Sequence, residues 1–208
     1  MKGINLKTAG VIALAAALTA ALTAGFLPSA FAGPPDSSIE APVVAANFTL
    51  QDATGAKHEL HALPDAPAIV IATYASGDPL SEDTVKTLDM IRAVFGKATY
   101  FMLSSGPDST QEAVAKSASA TPTNVPILLD RDQSVARNLG LTQTGEAVVI
   151  DPVGWQIAYR GPVSTLSAQD PQAHYVLFNA VVHVMGHRVV DEPRVQAKGT
   201  PIRFTSQN

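Results

Sequence analysis

Few side chains in this chain are placed to do chemistry, and the first is Asp78, in the stretch 73-TYASGDPLSED-83. An apolar run, Ala68 to Ala72, precedes it and an amphipathic segment follows, so the stretch reads as a strand, a turn and a helix start. Many α/β proteins keep their reacting groups at such a turn, where the carboxyl end of a strand meets a helix N-terminus. Here the turn offers a carboxylate, Pro79 and small residues. A carboxylate acting as nucleophile, acid or base needs a metal or a neighbouring titratable group, and the turn supplies neither. The plainer reading of Asp78 is an Asx-type turn or a helix cap, where its negative charge is favoured.

Histidine is the next candidate. His183 and His187 stand four apart, which puts them on one face if the helix there continues through Gly186, with Met185 between them. Imidazole pairs suit copper or zinc, so a metal carrier using His183 and His187 is one reading. Gly186 argues for the other, in which the helix stops and His187 only complements its C-terminal dipole. His58 and His61 form a second pair, with His58 expected on the water-facing side of an alternating strand. Asp108, Asp130 and Asp132 lack the glycine-punctuated loop of a calcium site and read as caps of short helices. The sequence 104-SSG-106 is not a nucleophile elbow, and there is no glycine-rich phosphate loop.

Cysteine is absent from all 208 residues. That excludes thiol chemistry, iron–sulfur clusters and thiolate metal sites, whatever the fold. No cofactor is expected.

The elements that must position these residues follow from periodicity. Phe48 to Leu50 and Lys57 to Leu60 flank the turn-rich Asp52-Ala53-Thr54-Gly55 and predict a β-hairpin. The run Ala68 to Thr73 predicts a strand buried on both faces. Ser81 is the expected N-cap of a helix whose apolar face is Val85, Leu88, Ile91, Val94 and Phe95. Strands are expected at 99–103, 126–129, 147–150 and 155–159, with short helices at 111–118 and 133–140. A last helix is expected from about Pro171, capped by Asp170, to Met185. Phe101, Trp155 and Tyr159 read as sheet packing. Strands alternating with helices call for a sheet covered on both faces.

The N-terminus carries Lys2 and Lys7, an Ala/Leu-rich run and Ala30-Phe31-Ala32, the pattern of a secretory signal peptide cleaved after Ala32. Residues 33–42, rich in proline, read as a flexible leader, residues 43–190 as the domain and 191–208 as a tail. Cleavage leaves 176 residues with 12 basic against 18 acidic side chains, a formal charge of −6. Such a surface argues against nucleic acid as a partner. No later run is long enough to span a membrane, so a periplasmic or secreted location is expected.

Three phrases carry a resemblance: 48-FTLQDATGAKHEL-60, 125-VPILLDRDQSVARNLGL-141 and 147-AVVIDPVGWQIAYRG-161. Together they resemble the redoxin branch of the thioredoxin-like proteins, related to peroxiredoxins (alkyl hydroperoxide reductase and thiol-specific antioxidant). The tail, 174-HYVLFNAVVHVMGHRVV-190 and 198-KGTPIRF-204, is similar to a periplasmic redoxin subgroup, some of whose members occur beside haem proteins. The resemblance implies a three-layer α/β/α sandwich with a central mixed sheet and an N-terminal β-hairpin. It also implies a Cys-Pro-x-Ser turn where this chain has Asp78-Pro79-Leu80-Ser81, and a tail cysteine where it has Thr200. A Thr-Pro loop stands here as Thr144-Gly145, which removes the proline. All three markers of the catalytic region, at Asp78, Gly145 and Thr200, are thus substituted. The implied role is a non-catalytic binding protein for a periplasmic redox or cytochrome partner. Relatives hold partners against the turn, so an exposed apolar patch near 73-TYASG-77 would be the informative finding, and Tyr74, Asp78 and Pro79 are the candidate contacts. A residual enzyme using Asp78 as acid or base is the remaining alternative.

Overall fold

The computed structural model describes residues 43–163 and 175–206. The predicted signal peptide and leader, and the helix start at Asp170 and Pro171, lie outside these residues. Two strands, β1 (Thr49–Gln51) and β2 (Lys57–Glu59), form the expected antiparallel hairpin. Five more build the central sheet: β3 (Ile69–Tyr74), β4 (Thr99–Ser105), β5 (Ile127–Asp130), β6 (Glu146–Asp151) and β7 (Gln156–Pro162). Their order is β5-β4-β3-β6-β7. β3, β4 and β5 run parallel, and β6 is antiparallel to both β3 and β7, so the sheet is mixed.

The continuous apolar run of β3 is explained by its central place, for all six of its residues are buried. On one face Val70, Ala72, Tyr100 and Met102 pack with Val85, Leu88 and Ile91 of helix α1 (Pro79–Val94). Val114 of α2 (Gln111–Ala120) and Leu177, Ala180, Val181 and Val184 of α4 (Val176–Met185) join the same cluster. On the other face Ile69, Ile71, Phe101 and Leu103 meet Val135, Ala136 and Leu139 of the short helix α3 (Ser134–Leu139). The hairpin, through Leu50, completes that layer. The architecture is the expected three-layer α/β/α sandwich with an N-terminal hairpin, its second helical layer thinner than its first.

Two expectations about α1 are corrected. Its N-cap is not Ser81 but Asp78, as the cap reading of that residue has it: Asp78 Oδ1 accepts the Leu80 N–H at 2.8 Å, with Pro79 in the first turn. Pro79 has no N–H to satisfy and its φ is already helical, so the helix begins one turn earlier than Ser81 suggests. Val94, expected on the core face, is 60 % exposed. Steps of three residues each lag a helical turn by about 60°, so after nine residues Val94 points opposite Val85. The helix also stops at Val94, and Gly96 follows the Phe95 cap.

A buried carboxylate ties the hairpin to the sheet. Asp52 is 6 % exposed; its Oδ1 accepts from the N–H groups of Thr54 and Ala56 and from Thr54 Oγ1. Its Oδ2 lies 2.7 Å from His58 Nε2, and its backbone bridges to Leu128 of β5. His58 therefore does not face water as expected: it turns inward, edge-on to Phe101 with ring centroids 5.2 Å apart. Burial alone raises the Asp52 pKa, but the hydrogen bonds from Thr54, His58 and Ala56 outweigh it and hold it below the usual carboxylate range. A depressed folded-state pKa contributes stability above the unfolded value, and that stability is lost as pH falls through the folded one. Asp52→Asn is expected to cost about 1–3 kcal/mol at neutral pH, measured by urea unfolding, with the difference from wild type shrinking below about pH 4. An equal difference at both pH values would show that the charge plays no part.

Candidate functional site

The chain leaves β3 through α1 to β4 and through α2 to β5 on one side, then returns to β6 on the other side of β3. That reversal leaves a crevice at the carboxyl ends of β3 and β4, the usual binding position in open α/β sheets. A groove of about 460 Å³ lies there. Thr73, Ser104 and Ser105 line it from the strand ends, Asp78 and Thr144 from the loops, and residues 200–205 from the tail.

Asp78 is half-buried at the rim with both carboxylate oxygens engaged. Oδ1 caps α1 through Leu80, and Oδ2 accepts from Thr144 Oγ1 at 3.1 Å. The Thr144 hydroxyl in turn accepts the Thr200 N–H at 3.0 Å, and the Thr144 N–H donates to the Thr200 carbonyl at 2.9 Å. The structure thus brings together Asp78, Thr144 and Thr200, which are far apart in sequence. Ser81, released from capping, is buried and accepts the Ala75 N–H at 2.8 Å, which braces the turn. Gly145 has φ +70°, a region closed to proline, so the loop backbone departs from any Thr-Pro geometry.

Other predicted residues go elsewhere. Tyr74 is 5 % exposed and its hydroxyl hydrogen-bonds Ser117 Oγ at 2.7 Å, so it offers a partner little surface. As the last residue of β3 it points into the layer of α1 and α2, and in the turn after it Ala75 and Leu80 are half-buried while Pro79 is exposed. Residues 73–77 themselves therefore expose no large apolar side chain. Pro79 is exposed beside Asp78.

The pair His183 and His187 does not share a helical face. α4 ends at Met185, and a Schellman closure follows: Arg188 N–H donates to the His183 carbonyl and His187 N–H to that of Val184. His187 takes the left-handed position, φ 51°, and is exposed. His183 Nδ1 is 2.7 Å from the Val189 carbonyl oxygen, with Nε2 4.0 Å from Asp191. No group of three or more metal-ligating carboxylates and imidazoles occurs among the described residues. His61 stacks on Trp155 with centroids 4.1 Å apart.

The remaining carboxylates hold backbone. Asp130 is fully buried and accepts from Ser105 Oγ, Val135 N–H and Ala136 N–H; burial pushes its pKa up. Asp132 accepts from the Ser134 N–H and hydroxyl, which pull its pKa down. Neither is the cap residue expected from sequence: the N-cap of α3 is Gln133, and the two carboxylates bind the first N–H groups of α3 from just before it, while α2 is capped by Thr110 and not by Asp108. Glu146, also buried, accepts the N–H groups of Thr142 and Gln143 and so shapes the loop that carries Thr144.

Sequence reasoning missed Gln133, Gln143 and Gly199. Gln133 is buried at φ 63° and its amide holds the tail at Arg203 and Thr205. Gln143 does the same at Ala197 and Gly199. No local pattern announces such long-range amide contacts. Gly199 left one signal, a lone glycine in a tail with no turn to make.

No family model and no curated protein matches this sequence. Solved structures do. One is a hypothetical protein from Sinorhizobium meliloti, 25% identical over 80% of this chain and 95% of that one, with TM-score 0.67. Another is an uncharacterized conserved protein from Geobacillus kaustophilus, 19% identical over 80% and 93%, TM-score 0.69. A third is a putative thiol:disulfide interchange protein DsbE from Chlorobium tepidum, 16% identical over 70% and 97%, TM-score 0.56. The fold is thioredoxin-like. Thioredoxin-like neighbours of the third kind are named for thiol–disulfide exchange, whereas this thioredoxin-like chain carries no sulfur nucleophile at all.

The geometry of the turn can be read with a reporter. Asp78→Cys places the chain's single thiol at the N-cap of a 16-residue helix. The helix dipole favours the thiolate, so alkylation by iodoacetamide is expected to half-titrate below the ordinary cysteine value of about 8.5. Half-titration at or above that value would show that the turn does not aim its cap residue as described.

Proposed function

We propose that this protein is an exported member of the redoxin branch that has lost thiol catalysis and acts by binding, as an accessory to a periplasmic redox protein such as a cytochrome. One observation carries the reading. The positions where the redoxin resemblance expects the attacking thiol, the loop and the tail thiol hold Asp78, Thr144 and Thr200, and these are joined into one hydrogen-bonded unit.

A thiolate attacks peroxides and disulfides because sulfur is polarizable and its oxidised forms can be reduced again. A carboxylate has no such ladder. Acid–base work by Asp78 is also disfavoured, since its oxygens are bound to Leu80 and Thr144 rather than to a second titratable group. A metal carrier loses its support with the Schellman closure that separates His183 from His187. What is left is a groove at the switch point of the sheet, lined by the hydroxyl-bearing Thr73, Ser104, Ser105 and Thr144, by Asp78 and by the apolar Leu103, Ile202 and Phe204, with Ser76 exposed at its rim and Gly77 and Pro79 exposed in the same turn.

Capture from the exported-protein fraction of the source cells tests this, with wild type and Pro79→Arg as baits. Pro79 is exposed, so the variant alters the rim and leaves the core intact. The expected result is a haem- or thiol-bearing protein held by wild type and retained at least about tenfold less by the variant, as for a rim contact worth roughly 1.4 kcal/mol. Equal retention, or none, overturns the reading, as does insulin reduction or peroxide turnover by the purified chain.

A further inference from the structure

Residues 193–205 do not trail away from the domain. Pro193 and Val195 first pair with Arg160 on the outer edge of β7, at 2.8 and 3.0 Å. The chain then lies along the loop that follows α3. Thr144 N–H donates to the Thr200 carbonyl, and Ile202 N–H donates to the Thr142 carbonyl at 2.8 Å. Gln143 and Pro201 face each other between these bonds as an antiparallel bridge. This is strand addition, in which one extended segment satisfies the free donor and acceptor of another. It differs from a sheet interior in one respect. Of residues 197–205, Ala197 alone is buried, and only Gly199, Ile202 and Phe204 are half-buried. The segment is held by backbone and amide hydrogen bonds and by little apolar burial, which marks a part of a structure that opens locally.

The fit also states what an occupant must be. A Cβ on residue 199 would stand 1.9 Å from the Thr144 carbonyl oxygen, which is backbone and cannot step aside. Pro201, at the centre, shows that no N–H is required there. Phe204 packs against the domain beneath the Arg137 guanidinium at 4.4 Å, and Ile202, half-buried, lines the groove beside the loop.

We propose that the 142–144 loop is a docking edge for an extended peptide, and that residues 197–205 are a resident self-ligand which a partner segment of the pattern Gly-x-x-apolar displaces. This deepens the binding reading of the site and rests on it: the partner enters by taking the tail's place beside the groove.

The experiment uses full-length protein and a fluorescein-labelled peptide spanning residues 196–206. In Gly199→Val the valine side chain cannot pass Thr144, so the tail leaves and the edge is free. The peptide is expected to bind this variant at least about tenfold more tightly than wild type, because in wild type only the tail-open fraction is competent. The same peptide with valine for its glycine is expected to bind neither protein. Equal affinity for both proteins, or equal affinity of the two peptides, overturns the proposal. Hydrogen exchange of the wild type gives a test that needs no variant. The amides of Thr144 and Ile202 are expected to exchange through an opening that leaves Ile71 protected, and exchange of all three only by global unfolding overturns it. The two readings separate cleanly. If Gly199→Val binds peptide but retains no partner in capture, the accessory reading falls and the peptide edge stands; partner capture by a wild type whose tail never opens gives the reverse.

Discussion

One hydroxyl group organises the functional end of this molecule. Thr144 Oγ1 carries one proton and two lone pairs, and the structure uses both kinds of capacity: it donates to Asp78 and accepts from Thr200. Asp78 is in turn the cap of α1, so the start of the longest described helix, the loop before β6 and the tail meet at a single side chain. A hydroxyl can do this because it is donor and acceptor at once; a carboxylate or an ammonium in its place would satisfy one neighbour and repel the other. Glu146 supports the arrangement from below by accepting the N–H groups of Thr142 and Gln143.

The carboxylates follow the same logic. Asp52, Asp130 and Glu146 are all buried, and each is matched by donors from backbone or hydroxyl groups. A catalytic carboxylate is usually recognised by the opposite condition, an oxygen left short of partners beside a second titratable group. Here the buried charge is spent on fixing turns: the hairpin at Asp52, the α3 start at Asp130, the loop before β6 at Glu146.

How far the sequence could be read depended on the range of the interaction concerned. The order of strands and helices was legible because β3 is uniformly apolar and α1 has a helical stripe, both of which are local consequences of burial. The sequence left the cap open between Asp78 and Ser81, both good capping types, and Pro79 decides between them through its fixed φ. The burial of Tyr74 was not legible, because strand alternation alone does not say which layer a terminal residue joins. His183 and His187 had the spacing of a metal pair, and only the left-handed backbone at His187, unusual for a residue other than glycine, breaks it. The tail was out of reach: its partners, Gln133, Gln143 and Thr144, lie more than fifty residues away and are polar side chains of no distinctive pattern.

A tail tied by hydrogen bonds answers to different signals from one tied by sulfur. A disulfide holding such a tail would stabilise closure by about 2–4 kcal/mol and would open only to a reductant. Each hydrogen bond of the present tail contributes about 0.5–1.5 kcal/mol net, and each can be replaced one for one by a competing strand. In the proposed reading, where the redoxin resemblance expects cysteines at the positions of Asp78 and Thr200, a redox-controlled contact gives way to one controlled by mass action, in which a peptide of matching shape at sufficient concentration competes with the tail. The close approach of Gly199 to Thr144 would then be the element of specificity, because a segment bearing a side chain there cannot reproduce it.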